Sequence, residues 1–420
     1  MTQKTFPLSK EELEALTKRF STPFYIYDEG AIRENSRRVN TAFSVFPGYI
    51  NYFAVKAMPN PAMLRLLAGE GLGADCSSLT ELMLAEMSGI VGERIMFTSN
   101  ETPSAEYRKA RELGAIINLD DFTHIEFLEK TAGLPEILSI RYNPGPRKLG
   151  NAIIGNPIEA KYGFTHEQTL EGFALLKKKG VKRFALHTMV ASNELKTAYH
   201  IETGRLLFSL AAEIKQKTGI SLEFVNLGGG AGIPYRPEEE ALDYKALVSG
   251  LKAAFDDVMV PAGLGGTGVR TEWGRAITGP YGWLVTRAIH RKDIYRKYIG
   301  VDASMADLIR PAMYGAYQHI TVAGKEREPP AEVYDIVGSL CENCDKFAVQ
   351  RHLPPISTGE VSGDLLVIHD AGAHGRAMGF NYNGKLRCGE LLLRPDGSVT
   401  QIRRRETPAD LFATLTGHQV

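Results

Sequence analysis

The sequence predicts an α/β barrel of the (β/α)8 (TIM) kind followed by an all-β domain of sandwich or barrel type, and three observations carry that reading. Strand-like runs alternate with amphipathic helical stretches from about residue 31 to residue 275. The alternation stops near Arg275. Beyond it, short apolar runs are separated by turn dipeptides instead of helices. A chain of 420 residues is also too long for one ordinary domain. The expected division is an N-terminal segment, 1–30, that joins the β domain, a barrel over 31–275 and a C-terminal β domain over 276–420.

Each element has its own justification. Ser9-Lys-Glu-Glu-Leu-Glu-Ala-Leu carries an apolar period near that of a helix, with Ser9 as N-cap. Phe24-Tyr-Ile-Tyr-Asp28 reads as a strand. Further strands are expected at 51–55, 95–98, 115–119, 137–142, 184–187 and 222–227, with helices at 81–87, 105–113, 167–178, 203–217 and 244–255. Strands and crossover helices at this spacing make βαβ units, and so many of them favour a closed barrel over an open sheet. Past Arg275, strands are expected at 282–289, 298–301, 319–322, 333–337, 365–369 and 391–393, with turns at Asn383-Gly384 and Pro395-Asp-Gly397.

Composition narrows the function. Lys+Arg 49 against Asp+Glu 49 leaves a formal net charge of zero, so no basic field points to nucleic acid or an anionic membrane. No apolar run is long enough to span a bilayer, and Met1-Thr-Gln-Lys-Thr-Phe-Pro lacks the apolar stretch of an export signal. The four cysteines, Cys76, Cys341, Cys344 and Cys388, are too scattered for a disulfide framework. Cytoplasmic location and small-molecule or self-association partners are the expectation.

Chemistry is expected where barrel strands end. In Asn51-Tyr-Phe-Ala-Val-Lys-Ala57 an apolar run closes on Lys56. Burial and nearby cations lower the pKa of an ammonium, and a lysine so tuned adds to a carbonyl and holds an aldehyde cofactor covalently. The structural alternative is a lysine whose stem lines the strand while its head reaches water. Arg141 and His187 stand at two other strand ends. Gly228-Gly-Gly-Ala-Gly-Ile233 follows a strand directly, as a phosphate-cradling nest does, without the dinucleotide G-x-G-x-x-G spacing. Glu272-Trp-Gly-Arg275 closes the barrel with a carboxylate able to pair with a protonated ring nitrogen and an arginine able to hold phosphate or carboxylate. Surface ion pairing is the commoner fate of such residues, as it is for Arg310. Cys341-Glu-Asn-Cys344 has no second C-x-x-C or histidine pair, so no metal site is expected and a single thiol acting as acid or nucleophile fits better.

These motifs in this order resemble the fold-type III pyridoxal-phosphate decarboxylases, which share the alanine racemase-like fold, and within them diaminopimelate decarboxylase. The resemblance runs from about residue 20 to 400 through Tyr52-Phe-Ala-Val-Lys56, Asp75-Cys-Ser-Ser with Glu81, Gly228-Gly-Gly, Glu272-x-Gly-Arg275, Asp307-Leu-Ile-Arg-Pro-Ala-Met-Tyr-Gly315, Cys341-Glu342 and Gly372-Ala-His-Gly-x-x-Met378. It implies that Lys56 binds pyridoxal 5'-phosphate and Glu272 pairs with its ring nitrogen. Gly228, Gly229, Gly230, Ser192, Gly274 and Arg275 would surround the phosphate, while Asp75 and Arg141 support the lysine. Arg275, Arg310, Tyr314 and Glu342 would bind substrate, and Cys341 would donate a proton across a homodimer interface.

The departures fall on the cofactor face and the far end of the substrate. The family's His-x-His-Ile-Gly-Ser is His187-Thr-Met189-Val-Ala-Ser192 here, so Met189 replaces a stacking imidazole. The usual tyrosine of Gly-Ala-Tyr is His374, the usual proline of Glu-Pro-Gly-Arg is Trp273, and Asn343-Cys344 follows Cys341-Glu342. Retained chemistry with altered recognition suggests a decarboxylase of D-lysine or D-ornithine, giving cadaverine or putrescine. meso-Diaminopimelate is the alternative substrate. A pyridoxal-phosphate-dependent amino-acid racemase is the alternative of another class, and it would need a second base opposite the lysine.

Overall fold

The computed structural model describes residues 4–151 and 153–416, so Met1 to Gln3 of the N-terminal reading lie outside it. Two compact units emerge, one formed by 33–233 with 241–277 and the other by 1–32, 234–240 and 278–420. The first strand, β1 (Phe24–Asp28), belongs to the second of these.

The other unit is a closed parallel barrel. Its strands are β2 (Ile50–Ala54), β3 (Gly73–Cys76), β4 (Ile95–Thr98), β5 (Ile116–Leu119), β6 (Ile137–Tyr142), β7 (Arg183–Thr188), β8 (Phe224–Asn226) and β9 (Gly268–Thr271), and β9 pairs back onto β2. Tyr52, Met96, Ile116, Ile137, Ala185 and Phe224 form one buried cluster near the strands' beginnings. Side chains two residues apart share a face of a strand, so the next inward positions are Thr98, Asn118, Ser139, His187 and Asn226. All of these are buried. The barrel interior is therefore apolar where strands begin and polar where they end.

Two strands, β3 and β9, escape the sequence pattern. Each is short, opens on glycine and carries one charged residue, so neither shows an apolar run. Gly73 is required by packing: a Cβ there would come within 2.6 Å of both the Tyr52 ring and the Arg94 carbonyl. Helices at Glu29–Phe43, Pro61–Gly69 and His124–Ala132 were likewise not anticipated, whereas Lys10–Thr17 has the expected Ser9 cap as a full capping box.

The second unit is one connected nine-stranded mixed sheet. Its later strands are β10 (Gly282–Asp293), β11 (Lys297–Val301), β12 (Ile320–Val322), β13 (Glu332–Val337), β14 (Lys346–Leu353), β15 (Leu365–Ile368), β16 (Gly389–Leu393) and β17 (Val399–Arg403). β1 lies between β10, antiparallel, and β16, parallel. Leu13 and Leu16 of the capped helix pack with Phe24, Ile26, Trp283, Val285, Val367 and Leu391. Emptying one such leucine site to alanine costs about 2–5 kcal/mol. On alternate positions of β1, Tyr25 and Tyr27 donate hydrogen bonds to the Asp307 carbonyl at 2.7 Å and to Glu390 at 2.8 Å. Among the described residues, no helix is long and apolar enough to cross a membrane.

Candidate active site

The barrel contributes a group of side chains at its strand ends. Lys56 lies in a 3-10 turn, Val55–Ala57, immediately after β2, so the strand stops one residue earlier than the sequence suggested. It is exposed, and the charges that feel it include the carboxylates Asp75, Glu81 and Glu272. The expected setting of burial beside cations is thus corrected: the lysine faces water and carboxylates. Gly274 lets the loop after β9 press on this turn, because a Cβ there would stand 2.7 Å from that of Ala57 and 3.1 Å from that of Ala54.

Glu272 is the most elaborately held carboxylate of the group. Its Oε2 lies 2.9 Å from His187 Nε2, and its Oε1 accepts a 2.8 Å hydrogen bond from Asn226. Burial pushes its pKa up, but the His187 ring, with Lys56 and Arg141 behind it, holds the net value below the ordinary carboxylate range. Asp75 behaves oppositely. Burial first, then the Glu272 charge, raise it well above the usual value against the pull of Lys56. Arg141 pairs with Asp120 at 3.3 Å and lies 3.8 Å from the Tyr162 ring centroid, and burial pushes Asp120 to about 6 despite the arginine.

The glycine loop is tied to the same carboxylate. Asn226 Oδ1 accepts from the Gly228 amide at 2.9 Å, and the Glu272 amide donates to the Gly228 carbonyl at 2.8 Å. A Cβ on Gly228 would meet the Thr188 carbonyl at 2.0 Å, and one on Gly230 would meet Ala191 at 2.7 Å. Both glycines also have positive φ. Beside Gly229 lies the Met189 thioether, 3.5 Å from where a Cβ would stand. The Ser192 amide donates to Asn151 Oδ1 at 3.3 Å, and Arg275 is a buried residue opening the short helix Arg275–Thr278. Trp273 packs edge-on against Phe43 and stacks on Tyr244, while its amide and carbonyl both bond to the Asn51 side chain.

The second unit carries the remaining candidates. Arg310 is buried, with Tyr235 and Tyr314 rings 5.0 and 5.9 Å from its guanidinium carbon. Cys341 and Cys344 are exposed on the turn between β13 and β14, and Glu342 on that turn accepts a 3.0 Å hydrogen bond from the Tyr382 hydroxyl. Asp345 anchors the turn by accepting from the Met305 and Leu340 amides at 2.7 and 2.8 Å. His374 adopts a positive φ of 53° between Gly372 and Gly375, neither of which has room for a Cβ. Among the described residues, no cluster of three or more His, Cys, Asp or Glu is arranged to hold a metal.

Sequence reasoning missed Asn118, Asp120, Tyr162 and Asn226. Asn118 and Asn226 had a usable signal, since each lies two residues after an inward apolar residue and so continues the inward face with a polar side chain. Nothing comparable marks Tyr162.

The residues fit a phosphate-bearing aldehyde cofactor: a ring of buried carboxylates beside an exposed lysine, and a loop whose glycines leave backbone where side chains cannot go. The family model for the pyridoxal-dependent decarboxylase, pyridoxal binding domain, matches residues 29–279. Protein TabA of Pseudomonas amygdali pv. tabaci is 43% identical over 96% of this chain and 93% of its own. Diaminopimelate decarboxylase of Methanothermobacter thermautotrophicus is 36% identical over 94% and 92%. The solved structure of diaminopimelate decarboxylase from M. jannaschii in co-complex with L-lysine superposes with a TM-score of 0.90 at 30% identity, covering 99% of this chain and 98% of that one. With a barrel closed around that lysine and glycine loop and a family match across the whole of it, this chain belongs to the pyridoxal-dependent decarboxylases, carboxy-lyases that work with pyridoxal phosphate.

Proposed function

We propose that the chain decarboxylates a D-configured diamino acid, D-lysine or D-ornithine, releasing carbon dioxide and leaving cadaverine or putrescine. Lys56 Nζ would hold the cofactor's aldehyde carbon, Glu272 would face its ring nitrogen, and Gly228, Gly229, Gly230, Ser192, Gly274 and Arg275 would take its phosphate. Bound there, pyridoxal phosphate supplies an electron sink for the pair that departing carbon dioxide leaves behind. Met189 offers the ring an apolar face, and His187 holds Glu272 in place behind it. Asp75 and Arg141 support the lysine, and His374 stands where the family has tyrosine. Cys341 Sγ donates the proton that completes the α-carbon.

The observation that carries the substrate choice is the turn holding Glu342, a carboxylate fixed by Tyr382 and suited to a distal ammonium, in a segment where Asn343-Cys344 departs from the family. Arg310 and Tyr314 would receive the carboxylate that stays or leaves. The high identity to diaminopimelate decarboxylase along nearly the whole chain favours a second reading, meso-diaminopimelate cleaved at its D-centre. Carbon dioxide release from D-lysine, D-ornithine, their L-forms and meso-diaminopimelate decides between them. Efficient turnover of meso-diaminopimelate with D-lysine inert would overturn the first.

The working form would be a cytoplasmic homodimer in which Cys341 and Glu342 serve the neighbouring subunit. Mixing Lys56→Ala with Cys341→Ala protein then restores part of the activity. No recovery after demonstrated subunit exchange would mean that each chain completes its own site.

A further inference from the structure

A single chain of polar side chains crosses the barrel interior at the strand ends: Thr98 from β4, Asn118 from β5, His187 from β7, Glu272 beyond β9 and Asn226 from β8. His187 is 1% exposed and Glu272 6%, so their protonation states are set by these partners and not by water. We propose that Asn118 fixes His187 as the neutral, Nε2-protonated imidazole, so that His187 positions the Glu272 carboxylate while leaving its negative charge for the cofactor's ring nitrogen.

Asn118 Nδ2 has two protons and two acceptors, Thr98 Oγ1 at 3.2 Å and His187 Nδ1 at 2.9 Å. With the amide donating to it, Nδ1 must offer its lone pair. The ring proton therefore sits on Nε2, aimed at Glu272 Oε2 2.9 Å away. The reversed amide would place oxygen against Nδ1, demand a second ring proton, and withdraw both N–H groups from these acceptors. Buried N–H groups are left unpaired more rarely than carbonyls, and within this chain of five side chains the observed orientation leaves Asn118 Oδ1 as the one buried atom without a partner among the described residues. A neutral ring has a consequence for charge. An imidazolium would cancel the Glu272 carboxylate, whereas a neutral donor only orients it. A neutral ring lowers the Glu272 pKa through its hydrogen bond alone, leaving Lys56 and Arg141 as the cations that act on this carboxylate, while Glu272 in turn raises Asp75.

Beyond the tautomer itself, the proposal rests on the reading that Glu272 faces the ring nitrogen, and the two can fail separately. Protein labelled with 15N-histidine, without cofactor, is read at pH 7, and the His187 signals are identified by their loss in His187→Gln. A pyridine-like Nδ1 with a protonated Nε2 is expected. Two protonated nitrogens in the native protein would overturn the proposal. Asn118→Asp, which presents oxygens alone to Nδ1, should convert His187 to the doubly protonated form and weaken pyridoxal phosphate binding by about tenfold, the equivalent of one pKa unit. An unchanged His187 signature in folded Asn118→Asp would also overturn it; if that variant does not fold, the native spectrum decides. By contrast, a neutral His187 together with an unaltered absorption spectrum of cofactor-loaded Glu272→Gln would leave the tautomer standing and refute the pairing of Glu272 with the ring nitrogen.

Discussion

The strand ends of the barrel and the turn between β13 and β14 carry their chemistry in opposite ways. In the barrel, Arg141, His187 and Glu272 are nearly buried and bonded to one another or to strand neighbours. On the turn, Cys341 is exposed and Glu342 is held by one hydrogen bond from an exposed tyrosine. A buried network resists substitution because each member leaves a desolvated partner behind. An exposed turn has water to fall back on. On the proposed assignment, the cofactor-facing groups are thus built where change is costly, and substrate recognition where change is cheap.

The sharpest way to break that contrast is at Lys56. Lys56→Ala should abolish covalent cofactor attachment and reduce decarboxylation to background, checked by borohydride trapping and peptide mass mapping of the native protein. An adduct trapped elsewhere would remove the barrel rim from the chemistry. Next in size is Glu272→Gln, which leaves His187 and Asn226 beside a neutral group. Breaking a buried charged partnership costs roughly 3–5 kcal/mol, so kcat/KM should fall more than a hundredfold.

Asp120 tests the same burial through stability. Its folded pKa of about 6 lies above the unfolded value, so the folded state holds the extra proton between roughly pH 4 and 6. Its contribution is full below that window and is lost as pH rises through 6, by up to roughly 3 kcal/mol. Urea unfolding of native protein and Asp120→Asn from pH 4 to 7 should show the native curve declining relative to the variant over this range. Parallel curves would contradict the raised value. The smallest effect is expected on the turn. Tyr382→Phe should lower kcat/KM for diamino acids by about three- to tenfold, in keeping with one exposed hydrogen bond to a charged group. A loss as large as that of Glu272→Gln would erase the distinction between the two regions.

What the sequence made legible follows the same physics. The strands at 95–98 and 137–142 were read to their exact bounds because every residue of each is buried and most are apolar. Gly73–Cys76 and Gly268–Thr271 were not, since glycines chosen for close packing look like turn residues. Helix Glu29–Phe43 hid behind its many charges and polar residues, and β14 behind a Gln-Arg-His stretch. Lys56, Glu272 and the glycine loop announced themselves as residues out of place on strands or turns. Asn118 did not, because one polar residue inside the otherwise apolar run Ile-Ile-Asn-Leu does not show which way it faces. Its role depends on β5 and β7 both facing one barrel interior, which is information no single segment contains.

The pairing of β9 with β2 has an implication for how such a chain matures. Lys56 follows the first strand of the ring and Glu272 the last, so the two meet only when the circle is closed. A ribosome-bound or prematurely ended chain that has made β2 but not β9 carries the lysine without its distant carboxylate. Pyridoxal phosphate is a reactive aldehyde, and a half-made polypeptide of this design has no assembled cradle in which to capture it. If Lys56 and Glu272 hold the cofactor as proposed, loading would be deferred until synthesis has passed the last strand, with ring closure standing between nascent chain and working catalyst.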